Sequence, residues 1–136
     1  MKTSVDTSVL LDVLGAQFPY AEPSSNALKK SYAEGSLVAC DVVWSETRAH
    51  FQSSAAFREA MDAIQIQFQP ISKESAELAG ELWALYRRSG GSRQRVLADF
   101  LVGAHALLQA DRLLARDRGF YRPYFKRLKL IDPMEA

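Results

Sequence analysis

Apolar positions along this chain fall into two spacings that take turns. Short aliphatic runs, "KTSVD" (2–6), "SLVACD" (36–41), "IQIQF" centred on 66–68, "RLLAR" (112–116) and a final segment ending at Ile131, predict strands. Between them lie longer stretches with helical spacing. "TSVLLDVL" (7–14) is entered through Thr7 or Ser8 as cap, and "SNALKKSYAEG" (25–35) is closed by Gly35. "VVWSETRAHFQS" (42–53) and, after a break, "AAFREAMDAI" (55–64) read as helical. Ser72 to Arg88 is the clearest helix, with Ser72 as cap and Ala76, Ala79, Leu82, Trp83 and Tyr86 on one face. "GGSRQR" (90–95) is a loop, and "GFYRPYF" (119–125) is an irregular aromatic segment.

The helix after that loop begins in "VLADFLVGAHALL" (96–108), an apolar run with one carboxylate, Asp99, near its start. Asp99, Gly103, Ala106 and Ala110 form a small face suited to close approach to a sheet. Leu97, Phe100, Leu101, Ala104, Leu107 and Leu108 are expected to fill the core side.

Strands alternating with helices imply parallel pairing through right-handed crossovers, hence an α/β fold: a three-layer α/β/α sandwich with a mostly parallel central sheet. At 136 residues, 48% of them hydrophobic, the chain suits one domain spanning 1–136 with a substantial core. Its apolar runs are too short or too interrupted by charge to cross a bilayer, so a cytoplasmic protein with no membrane partner is expected. The single cysteine, Cys40, excludes an intrachain disulfide and a cysteine-rich zinc site, and reads as a small buried residue at a strand end.

Sheets of this kind place their sites outside the carboxyl ends of the strands, which makes four acidic positions informative. Asp6 closes the first strand, Asp117 lies just past "RLLAR", Glu46 lies about a turn beyond the strand ending near Asp41, and Asp99 sits in a first helical turn. Near a helix start, Asp99 also has the ordinary use of favouring the helix dipole. Four carboxylates at one edge repel, at about 4 kcal/mol per pair for 4 Å and an effective dielectric near 20. They must protonate or hold a cation. An all-oxygen set suits a hard octahedral ion, Mg²⁺ or Mn²⁺, whose usual chemistry is phosphoryl transfer by activation of water. Charge is also uneven: residues 1–86 hold six Lys/Arg and eleven Asp/Glu, whereas residues 87–136 hold eleven and five. The basic half suits a polyanion.

"VDTSVLLD", "VVWSE", "RVLADFLVGAHAL" and "LLARDRGF" resemble the four acidic motifs of PIN domains, and "ADFLVGAHAL" with "RDRGF" resembles the VapC toxins of bacterial toxin–antitoxin pairs. The resemblance runs in order over nearly the whole chain. It implies a PIN-like sandwich, a homodimer, RNA cleavage with Mg²⁺ or Mn²⁺, and inhibition by a VapB-like antitoxin. By motif, Asp6, Glu46, Asp99 and Asp117 take the places of the metal-binding, catalytic acids, and Ser8 matches the small polar residue two after the first acid. Ser8, Arg95, Arg116 and Arg118 are candidates for holding RNA, Arg116 and Arg118 through phosphate.

Other residues have plainer expected roles. Asp12 is expected to face solvent, Asp41 to cap a helix, His105 to be packed, and His50 and Trp44 to serve the helix carrying Glu46. Half or more of Phe120, Tyr121, Tyr124 and Phe125 should be core, the rest being free to stack on bases. Phe57, Met61 and Ile64 could offer a partner helix more apolar surface than one core needs, though core is their commoner use. An aspartyl phosphatase would want an acid where Ser8 stands, and a receiver domain an Asp closing the third strand. The remaining alternative is a non-catalytic PIN-like partner-binding module.

Overall fold

The computed structural model describes residues 1–16, 18–91, 96–116 and 119–135. In chain order the elements are β1 (Lys2–Val5), α1 (Thr7–Leu14), α2 (Ala21–Glu34), β2 (Ser36–Ala39), α3 (Asp41–Arg48), α4 (Ser54–Ala63) and β3 (Ile66–Phe68). They continue with α5 (Lys73–Arg88), α6 (Leu97–Gln109), β4 (Arg112–Leu114), α7 (Tyr121–Tyr124) and β5 (Leu130–Ile131). Asp6, Ser53 and Ser72 cap α1, α4 and α5 by accepting from the backbone N–H groups of Thr7, Ala56 and Ser75.

All strand pairs are parallel, in the order β3-β2-β1-β4-β5. From β1 the chain steps to β2 and β3 through α1–α4, then returns through α5 and α6 to β4 on the other side of β1. Right-handed crossovers put these two helix sets on opposite faces, completing the α/β sandwich. The strand order therefore reverses between β1 and β4, the place where such sheets open a crevice at their carboxyl ends. A 2.9 Å bond from the Asp6 N–H to the Leu114 carbonyl ties the two strand ends together there.

Several boundaries differ from the sequence expectation. α2 starts four residues early because Pro23 in its first turn needs no N–H partner. α3 stops at Arg48, short of the expected 53, and the irregular aromatic segment contains the short α7.

Val5, Val9, Leu10, Ala39, Val43, Phe100, Ala104, Leu113 and Leu114 are fully buried. Within α6 the small face is indeed inside, but Gly103 makes room for the Phe125 ring, which a Cβ there would strike. Leu97 and Leu108, expected in the core, are 37% and 50% exposed. The aromatic segment is core: Phe120, Tyr121 and Phe125 are buried, and Phe120 meets Phe100 edge-on at 5.1 Å. Gly119, at φ 87°, supplies the left-handed residue that turns the chain inward before Phe120. Phe57 and Met61 are also buried, and Ile64, just past α4, is partly buried against the same core.

Candidate active site

Asp6 reaches the site because β1 ends there and α1 begins there. Its carboxylate accepts from the Thr7 N–H at 2.8 Å, the Ser8 hydroxyl at 3.4 Å and the Tyr121 hydroxyl at 3.3 Å. Burial, then the negative charges of Glu46 and Asp99, push its pKa up to about 6, against the lowering effect of the Thr7 and Tyr121 hydrogen bonds. Glu46, one turn into α3, accepts from the Thr7 hydroxyl at 2.7 Å. Asp99, in the first turn of α6, accepts from the Val96 N–H at 3.2 Å, so its capping use is real. Its charge also acts on both Asp6 and Tyr121.

Three acids separated by tens of residues thus converge electrostatically at the β1/β4 switch point. Among the described residues no Lys or Arg forms an ion pair with any of them. Nor does a group of three or more His, Cys, Asp or Glu approach closely enough there to hold a metal. Asp117, the fourth expected acid, lies outside the described residues, as do Arg95 and Arg118. By the chemistry of its side-chain donors, all of them oxygen, the set Asp6, Glu46 and Asp99 suits a divalent cation, although its spacing in the described residues is not that of a closed metal site.

Two site residues escaped the sequence reading. Thr7 clamps Glu46, and Tyr121 holds Asp6 across 115 positions of sequence. A hydroxyl beside an N-cap is a weak signal for the first, and nothing local signals the second. Conversely, Asp12 does not face solvent. It is 4% exposed, accepting from Ser24 at 2.7 Å and from Arg116 Nε and Nη2 at 2.8 and 3.1 Å. Arg116, a candidate for phosphate, spends these two nitrogens on Asp12 and lies 4.0 Å over the Tyr20 ring. Asp41, in the first turn of α3, accepts from the Ile71 N–H at 3.3 Å. His105 is packed as expected: fully buried between Ser4 and Gln69, with burial lowering its pKa to about 4. Trp44 packs edge-on to Phe57 and Phe68, and His50 lies just past α3 with Nδ1 3.0 Å from the Glu46 carbonyl oxygen.

Among the described residues no helix is long and apolar enough to cross a membrane. No curated protein sequence matches this chain. Its backbone is similar to that of solved toxin–antitoxin structures at low identity. A chain of VapBC2 from Rickettsia felis, bound to a DNA fragment from its promoter, matches with a TM-score of 0.75 and 16% identity over 97% of this chain and 98% of that one. For VapBC-1 from nontypeable Haemophilus influenzae the values are 0.69 and 15%, over 98% of each. For VapC20 of Mycobacterium tuberculosis, a sarcin–ricin loop cleaving toxin, they are 0.62 and 17%, over 89% of this chain and 94% of that one. The sequence model of the PIN domain matches residues 4–126, all but the ends, and with it the described acids Asp6, Glu46 and Asp99: the chain belongs to the PIN domain family.

Proposed function

We propose that this chain is a divalent-metal-dependent endoribonuclease of the VapC type, the toxin of a toxin–antitoxin pair. The observation that carries the reading is the convergence of Asp6, Glu46 and Asp99 at the switch point, with the Asp6 pKa raised to about 6 by burial and by its acidic neighbours. Likeness to VapC toxins, one of them named for cleaving an RNA loop, supports the same class.

Asp6, Glu46, Asp99 and Asp117 would hold Mg²⁺ or Mn²⁺. Such an ion, when bound, lowers the pKa of water and neutralises charge on the phosphate oxygens. The chain's own part is positioning. Thr7 fixes Glu46, while the Thr7 N–H, Ser8 and Tyr121 fix both oxygens of Asp6. Val96 fixes Asp99. Ser8 and the basic residues Arg95 and Arg118 would hold the RNA beside these acids, and Arg116 would serve mainly to brace Asp12. We place this action in the cytoplasm, in one domain spanning 1–136 that pairs as a homodimer.

The partner is a VapB-like antitoxin, in keeping with the VapBC assemblies of similar fold. An apolar groove of about 200 Å³ lined by Val13, Leu28, Leu37 and Ile64 suits a partner helix. A second apolar cleft, with Leu82, Leu85, Leu107 and Pro123, suits a self-association face.

The test is cleavage of RNA by the purified chain with Mg²⁺ or Mn²⁺, with chelator, and by Asp99→Asn. The expected result is cutting that needs the ion and falls at least a hundredfold in the variant. Equal cutting by Asp99→Asn, or full activity in chelator, would overturn the assignment.

A further inference from the structure

A cavity of about 430 Å³ adjoins the acids, lined by Ser8 and Leu11 of α1, by His50 and Phe51 beyond α3, and by the Asp12–Arg116 pair. Its volume lies within the range of small-ligand pockets, roughly 300–1,000 Å³. We propose that this cavity is a base-recognition subsite, taking one unstacked nucleobase next to the scissile phosphate. The inference rests on the nuclease reading and adds where its sequence preference resides.

Three features carry it. The cavity meets the acid site at Ser8, which both lines it and donates to Asp6 at 3.4 Å. Its interior carries no surplus charge, since Asp12 and Arg116 neutralise each other at 2.8 Å, which suits a neutral base better than a phosphate. It also offers a fixed aromatic wall with two polar ring and guanidinium nitrogens. Phe51 is anchored against Phe57 at 5.6 Å. The Glu46 carbonyl can only accept, so Nδ1 of His50 donates to it, which leaves Nε2 as the ring's second polar atom to meet a base edge. Arg116 Nη1 is the guanidinium nitrogen that Asp12 does not use. The donor Arg116 Nη1 pairs with a ring nitrogen or carbonyl, and His50 Nε2 offers a second polar contact along the same base edge. Reading such edges on splayed, single-stranded bases is the usual route to RNA sequence preference.

The experiment sequences the products of a randomised single-stranded RNA cut in Mn²⁺ by the parent chain, by His50→Ala and by Leu11→Trp, which fills the cavity. The parent is expected to prefer particular bases at one nucleotide beside the cut. Both variants should relax that preference roughly tenfold, the scale of one hydrogen bond. On RNA made abasic at that nucleotide, the advantage of the parent over the variants should vanish. A parent that cuts with no base preference would overturn the subsite and leave the nuclease standing. So would a His50→Ala variant that slows every sequence equally, abasic RNA included, because His50 would then act only through Glu46. No metal-dependent cutting by the parent would bring down both readings.

Discussion

At Asp6 a folding preference and a metal preference oppose each other. Its carboxyl titrates near 6 in the folded chain against 3.8 for an ordinary aspartate, so the folded state holds the proton more tightly than the unfolded one. This contribution to stability is therefore present in full below pH 4 and is lost as pH rises through 6. Asp6→Asn is therefore expected to match the parent near pH 4 and to exceed it above pH 6 in chelator. The gain should be about 1–3 kcal/mol, discounting for partial exposure. Denaturant melts across pH 4–8 measure it, and a variant less stable than the parent at pH 7 in chelator would contradict the electrostatic account. Asp6, Glu46 and Asp99 were legible in the sequence because the strand-end rule converts position along the chain into position in space. The placement of Asp12 was not, since its burial depends on Ser24 of a neighbouring helix and on Arg116, more than a hundred residues away.

Among elements, α6 joins the core to the site. Asp99 lies at its start, and Gly103, one turn on, accepts the Phe125 ring, which packs against Tyr121 at 6.4 Å between centroids. Tyr121 in turn holds Asp6. Gly103→Ala adds a Cβ that the buried ring must move to admit, a cost of roughly 1–3 kcal/mol, while helix propensity returns up to about 1 kcal/mol. The expected outcome is a net loss of about 1 kcal/mol in urea melts together with lower RNA cleavage, because the displaced ring carries Tyr121 with it. A more stable or fully active variant would show that the ring is not fixed. Periodicity revealed α6 and put Gly103 and Ala106 of its small face inside, though Gly103 meets an aromatic ring and Asp99 and Ala110 are only partly buried. It misassigned Leu97 and Leu108, because the core side near both ends of the helix is narrower than a full apolar stripe. The aromatic segment had no period to read, and its inward turn depends on Gly119.

For the whole molecule, alternation of short strands and longer helices was enough to reach the parallel sandwich, since handedness and crossover rules leave few alternatives. The sequence also pointed to the carboxyl edge of the sheet for the acids, of which Asp6, Glu46 and Asp99 lie among the described residues. It could not show which hydroxyls hold them, because Thr7 and Tyr121 meet the acids only once the sheet has formed. On the proposed function, these carboxylates are gathered to hold a divalent cation. The direct measurement is Mn²⁺ binding followed by electron paramagnetic resonance at pH 7, in the full chain and in Asp6→Asn and Asp99→Asn, with folding checked by circular dichroism. A tight site is expected in the parent, weakening at least tenfold in each variant and also as pH falls below 6 and Asp6 takes up its proton. Folded variants that bind Mn²⁺ as tightly as the parent would contradict the proposed function.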